Sequence, residues 1–228
     1  MRNETYFDSI DTVDKAYIVG FIAADGHLTK SGKQLTVQLS SRDADLLYFM
    51  QDALGFGSVG SGNVFDARTG NTYKWSRLVV SSKYLVSRLR ELDVKGNRYW
   101  LQVSPRLKRH VFHGLFDGDG SVGKYGSGSG ASWRLTQLVD SSLAIPVAED
   151  LHVGCGLRIP RIREIASGVS LMAWSGVFSV NRLGEMMYAG RLPAMFLKRK
   201  MNILRKCPTQ RGKSRYIGVS QGRRGCWV

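Results

Sequence analysis

A chain of 228 residues, 43% hydrophobic and 22% charged, has room for one large domain or two small ones. That composition excludes a disordered, collagen-like or disulfide-scaffold chain. Lys and Arg number 33 against 18 acidic residues, a net charge of +15, and such an excess points to a polyanionic partner.

Periodicity predicts a helix over 14–25 and strands near 27–30 and 33–41. A helix over 43–54, strands near 57–65 and 72–82, and a helix over 83–92 follow. Pro105 suits the first turn of a helix, and the order then runs again: helix 105–119, strands 121–125 and 131–139, helix 142–153, strands 157–165 and 169–180, helix 181–189. Residues 37–57 lie over 136–156 without a gap, pairing Gln38 with Gln137 and Leu39 with Leu138. The shared order of elements predicts an internal duplication, 1–104 and 105–207, joined near Gly96 to Ser104. GKYGSGSG at 123–130 reads as a hairpin tip between two strands.

The longest apolar stretch, Ala16 to Ala24, is less than half of a bilayer span. Glu4, Asp8, Asp11 and Asp14 make the N-terminus too acidic for a presequence. Cys155, Cys207 and Cys226 form no CxxC pair and leave an odd thiol, which fits a reducing intracellular compartment such as a bacterial or phage-infected cytoplasm or an organelle matrix. From Arg191 onward there are eleven basic residues and no acidic one, so the first 190 residues hold 22 basic against 18 acidic residues, or +4.

YIVGFIAADG (17–26) and VFHGLFDGDG (111–120) are each an apolar helix ended by Asp-Gly. Glycine past a helix end is explained by left-handed backbone. Aspartate is not, because a carboxylate in the last turn opposes the macrodipole at a cost of about 0.3–1 kcal/mol. Gly20 and Gly114 at matching places would let the two helices approach closely and bring Asp25 and Asp119 together at one end. Two carboxylates so close repel unless a cation lies between them. A hard divalent ion such as magnesium, bound by carboxylates, water and substrate phosphate, would polarise a phosphodiester and activate water.

This pair of segments resembles the LAGLIDADG motif of homing endonucleases, in the single-chain type with two copies. Residues 18–26 match the first copy and residues 112–120 the second, and LPAMFLKRKMNIL (192–204) resembles the family's basic closing helix. The resemblance implies an α+β fold, a pseudo-twofold pair of αββαββα repeats whose antiparallel sheets form a saddle over DNA. It implies a magnesium-dependent, monomeric enzyme that makes double-strand breaks in a long asymmetric target at the uninterrupted allele of its own locus, within an intron or other mobile element. Asp25 and Asp119 would hold metal with the carbonyls of Ala24 and Gly118, and Lys95 and Lys200 would supply positive charge near the cleaved bonds. Ala23 stands where the motif has its earlier acid, and His113 replaces a usually small residue and is expected to loosen or tilt the helix contact. Asp117 is read as a supporting or structural residue, not a catalytic one.

On KQLTVQLSS, Leu35, Val37 and Leu39 should face the core, and Gln34, Thr36, Gln38 and Ser40 should face outward as DNA contacts, glutamine suiting adenine. Arg77, Arg134, Arg158, Arg161 and Arg163 are expected on the other strands of the same interface. His27, His110, His113 and His152 show no metal-ligand spacing. RYIGVSQGRRGCWV (215–228) resembles the opening strands of an AP2 DNA-binding module, so 208–228 reads as a basic tail adding phosphate contacts. The same scaffold also serves RNA maturases, with intron RNA as partner, and DNA-binding proteins without cleavage. Both aspartates argue against the latter.

Overall fold

The computed structural model describes residues 2–128, 131–189 and 195–209. By contact these divide into two compact units, 2–119 with 195–198 and 120–189 with 199–209. Each unit carries one four-stranded antiparallel sheet, so the fold is α+β as expected. No helix among the described residues is long and apolar enough to cross a membrane.

In the first unit the chain runs α1 (Val13–Asp25), β1 (Gly26–Leu28), β2 (Gln34–Ser40), α2 (Ala44–Leu54), β3 (Ser58–Asp66), β4 (Asn71–Ser81) and α3 (Lys83–Glu91). The short α4 (Tyr99–Gln102) and then α5 (Pro105–Asp119) follow. Polar side chains mark the helix starts: Thr12 Oγ1 accepts from Lys15 N at 3.3 Å and Ser82 Oγ from Leu85 N at 3.1 Å. Gly55, at φ 72°, closes α2 in the left-handed conformation. The sheet order is β1-β2-β4-β3. Leu35, Val37 and Leu39 are buried with Leu78 and Val80 of β4, while Gln34, Thr36, Gln38 and Ser40 are half-buried or exposed on the opposite face, as the alternation predicts. The expected joint at 96–104 is partly helical, because α4 buries Tyr99 and Trp100.

The second unit runs β5 (Ser121–Tyr125), β6 (Ser132–Asp140), α6 (Ser141–Cys155), β7 (Arg161–Ala166), β8 (Val169–Ser175), α7 (Val177–Tyr188) and α8 (Lys198–Leu204), whose first residue belongs by contact to the first unit. Its sheet order, β5-β6-β8-β7, repeats that of the first. The strand expected over 169–180 stops at Ser175 and the helix begins at Val177. Gly176, at φ 94°, makes the turn, and the apolar VFSV run after it belongs to a helix. The strand expected from 157 begins at Arg161, so Arg158 lies in the loop before β7. Cys155 and Cys207 are buried thiols, and Cys155 Sγ donates to Met186 Sδ at 2.9 Å. Residues 129–130 of the Gly/Ser tip, 192–194 of the closing segment, and the AP2-like stretch with Cys226 lie outside the described residues.

The gapless overlay of 37–57 on 136–156 is out of register. His27 pairs with Thr36 and Leu28 with Leu35, while Ser121 pairs with Thr136 and Val122 with Leu135. Thr36 therefore corresponds to Thr136, and Gln38 to Leu138 rather than Gln137. A slip of one residue inverts the faces of a strand. Gln38 is exposed, whereas Gln137 is fully buried with its Nε2 donating to Leu138 O at 2.8 Å.

Candidate functional site

Helices α1 and α5 of the first unit touch backbone to backbone. A Cβ added to Gly20 would fall 2.0 Å from Val111 O, and one added to Gly114 would fall 2.1 Å from Tyr17 O. Ile18, Val19, Phe21, Ile22, Val111, Phe112 and Phe116 are all fully buried, which explains why both helices are apolar around most of their circumference. His113 does not hold the rods apart. Its ring is fully buried, set edge-on to Tyr17 with centroids 5.1 Å apart.

Just above the shared end, Asp117 is fully buried. Its Oδ2 accepts from Tyr17 Oη at 2.7 Å and from Leu197 N at 2.9 Å, and lies 3.5 Å from His113 Nε2. One carboxylate thus ties α5 to α1 and to the segment before α8, the structural role read from the sequence. Asp117→Ala should lower stability by about 2–4 kcal/mol, because it strands two buried donors. Asp117→Asn, which keeps an acceptor oxygen, should lose less; urea midpoints compare the two.

Beyond Asp117 both helices end in exposed carboxylates, Asp25 and Asp119. A Cβ on Gly118 would lie 2.3 Å from the Ala24 Cβ and 3.5 Å from Asp25 Oδ2, so the Asp25 carboxylate abuts the residue preceding Asp119. Gly26 does not have the left-handed backbone expected of it: φ is −74°. It is glycine because a Cβ would come within 2.6 Å of Ile22 O.

Lys95 closes the end of α1. Its Nζ donates to Ile22 O at 3.2 Å, Ala23 O at 2.7 Å and Ala24 O at 3.3 Å; Ile22 O also accepts from Gly26 N, while the last carbonyls of a helix have no partner within it. Burial against this end pushes Lys95 below its ordinary pKa, while Asp119 and, less strongly, Asp25 pull it upward. Both aspartates and Lys95 therefore share one electrostatic environment. Among the described residues no three His, Cys, Asp or Glu side chains gather as a metal cluster. The donors at this end are carboxylate and carbonyl oxygens, a set that suits a hard divalent cation.

Lys200, on α8, is buried, and its Nζ donates to Gly120 O at 2.7 Å, the residue after α5. Lys200 thus donates to a single carbonyl past the end of α5, whereas Lys95 donates to three carbonyls of α1.

The outward sheet faces hold most of the remaining expected residues. In the first unit Gln34 donates through Nε2 to Ser81 Oγ at 3.1 Å, and Gln38 is the register partner of Arg77. In the second, Arg134, Arg161 and Arg163 line one shallow concavity with Leu171, Ala173 and Ser175. Arg161 is paired with Ala173, Arg163 with Leu171 and Arg134 with Ser175. Arg158, exposed in its loop, is not part of this group. Trp75 escaped the sequence reading, although it lies two residues before Arg77 in the predicted strand 72–82, a spacing that puts both on one face.

Residues 12–92 match the family described as LAGLIDADG-like domain. No curated protein matches the sequence. Among solved structures, LAGLIDADG meganuclease I-AabMI bound to uncleaved DNA is 13% identical, with 83% of this chain and 87% of that chain covered and a TM-score of 0.55. Meganuclease I-SmaMI bound to uncleaveable DNA with a TTGT central four is 11% identical over 76% of this chain and 82% of that one, at a TM-score of 0.51. Full-length DUF199/WhiA from Thermatoga maritima is 12% identical over 92% of this chain and 66% of that one, at a TM-score of 0.50. At such identities the likeness is one of fold. Residues 12–92 therefore resemble a LAGLIDADG-like domain, and the chain shares its fold with the LAGLIDADG meganucleases.

Proposed function

We propose that this chain is a monomeric, divalent-cation-dependent, site-specific endonuclease that makes double-strand breaks in duplex DNA. The observation that carries this reading is the glycine-mediated contact of α1 and α5, which sets the Asp25 carboxylate beside Gly118, the residue before Asp119. The repeats 1–104 and 105–207 would each read one half of an asymmetric target through a polar sheet face. Magnesium held by Asp25 and Asp119, with the carbonyls of Ala24 and Gly118, would supply Lewis acidity and an activated water. The chain's own part is positional and electrostatic. Tightly packed helices fix the backbone that carries the two aspartates, and Lys95 offers positive charge toward the phosphate as negative charge develops on it. Lys200 is assigned the corresponding supporting role in the second repeat.

Support for a DNA partner comes from the net charge of +15 and from the DNA bound in related folds. Binding should weaken steeply with salt, each phosphate neutralised contributing about −0.9 to the slope of log K against log salt concentration. Titrations from low to physiological salt check this, and a flat response would remove the polyanion from the proposal.

Cleavage is tested on duplex DNA that joins the sequences flanking the gene, with magnesium and with chelator. Magnesium-dependent double-strand breaks are expected. A second reading, DNA binding without cleavage on the same scaffold, is favoured by one contact: the Lys95 ammonium already occupies the carbonyl of Ala24. Tight, salt-sensitive binding with no nicking under any divalent cation would establish it instead.

A further inference from the structure

We infer that Arg77 reads guanine from the first sheet, with Gln38 and Trp75 as the residues that position it; this rests on the proposed reading of that sheet as a DNA interface. Gln38, Arg77 and Gly60 form one cross-strand row over β2, β4 and β3. Arg77 Nε donates to Gln38 Oε1 at 2.9 Å, and its Nη2 donates to the same oxygen. The guanidinium carbon lies 4.9 Å from the centre of the Trp75 ring. Trp75 is itself laid over Gly62, where a Cβ would meet the ring at 2.4 Å, whereas a Cβ on Gly60 would meet nothing within 4 Å. An amide therefore holds the guanidinium edge, an indole supports its face, and the neighbouring strand leaves the space beside it open.

This arrangement changes what Gln38 can do. Reading adenine requires a glutamine to accept with its oxygen and donate with its nitrogen. Here two N–H groups of Arg77 converge on that oxygen, so Gln38 and Arg77 together present donors to the groove. Guanine offers two adjacent acceptors there, N7 and O6, while adenine offers one acceptor and one donor. A guanidinium fork matches the guanine pattern, and fixing it before binding reduces the ordering cost of recognition.

The test uses the full-length chain, wild type and with Arg77→Ala, Arg77→Lys or Gln38→Ala, in selections from randomised duplex DNA. Thermal midpoints of the variants, all at exposed positions, confirm that each is folded. The wild type should prefer guanine at one position by about 5- to 150-fold, the range for a good bidentate contact. Arg77→Ala should flatten that preference, Arg77→Lys should keep part of it because an ammonium still donates to guanine, and Gln38→Ala should weaken the same position. Replacing that guanine with 7-deazaguanine should weaken wild-type binding and leave Arg77→Ala unaffected. If Arg77→Ala weakens all sequences equally and reduces the salt slope by about one, Arg77 is a phosphate contact and the inference fails. If Gln38→Ala relaxes an adenine at a separate position, Gln38 is an independent reader and the inference also fails. If the wild type enriches no sequence, the reading of this sheet as a sequence-specific interface falls first and takes the inference with it.

Discussion

Asp25→Asn and Asp119→Asn should each reduce magnesium-dependent cleavage at least about a hundredfold, the scale on which removing a single stabiliser of transition-state charge is felt. Asparagine preserves the shape of the carboxylate and removes its charge. Both side chains are exposed at the ends of α1 and α5, where a negative charge already opposes the helix dipole. In chelator, therefore, the substitutions should shift stability by no more than about 1 kcal/mol, and upward if the charge is simply relieved. Loss of cleavage without loss of stability is the signature of a site rather than of a structural tie, and it contrasts with Asp117→Ala. The measurements are plasmid cleavage rates with magnesium and denaturant midpoints with chelator. Cleavage that survives both substitutions unchanged would remove Asp25 and Asp119 from the chemistry.

Gly114→Ala and Gly20→Ala should destabilise the fold by about 3 kcal/mol or more, at or beyond the upper end of ordinary overpacking. The added methyl would lie 2.1 Å from Tyr17 O or 2.0 Å from Val111 O, and a backbone carbonyl cannot rotate aside as a side chain does. Helix propensity acts the other way, favouring alanine over glycine by about 1 kcal/mol, so the net sign tests whether the contact is as close as described. Gly184 in α7 is the internal control: a Cβ there would meet Leu204 Cδ2 at 3.6 Å, an ordinary separation. Gly184→Ala should be neutral or stabilising by up to about 1 kcal/mol. Thermal or urea unfolding of the three variants decides it. Equal stability of all three would mean that α1 and α5 stand further apart. Because the aspartates are placed by this contact, a folded Gly114→Ala chain should also cleave more slowly.

Features that local chemistry dictates are legible along the chain. The period-two pattern of KQLTVQLSS assigned the faces of β2 correctly, and two apolar segments ended by Asp-Gly identified α1 and α5 with their glycines of contact. Where the sequence went astray, a longer-range constraint governed. The overlay of 37–57 on 136–156 is out of step, because the matched letters at Gln38 and Gln137 carry no information on a strand register that only cross-strand pairing fixes. Gly26 was assigned a left-handed turn, yet its small size serves closeness to Ile22. His113 was expected to disturb the helix contact, but the surrounding aromatic rings accommodate it. Partner choice among polar groups was likewise invisible: that Lys95 would settle on the carbonyls of α1, that Asp117 would bind Tyr17 and Leu197, and that Arg77 would take the oxygen of Gln38. Periodicity and end signals act over a few residues and survive in one dimension. The direction in which a polar side chain turns depends on which strand or helix the rest of the chain lays beside it, so packing and register had to decide those.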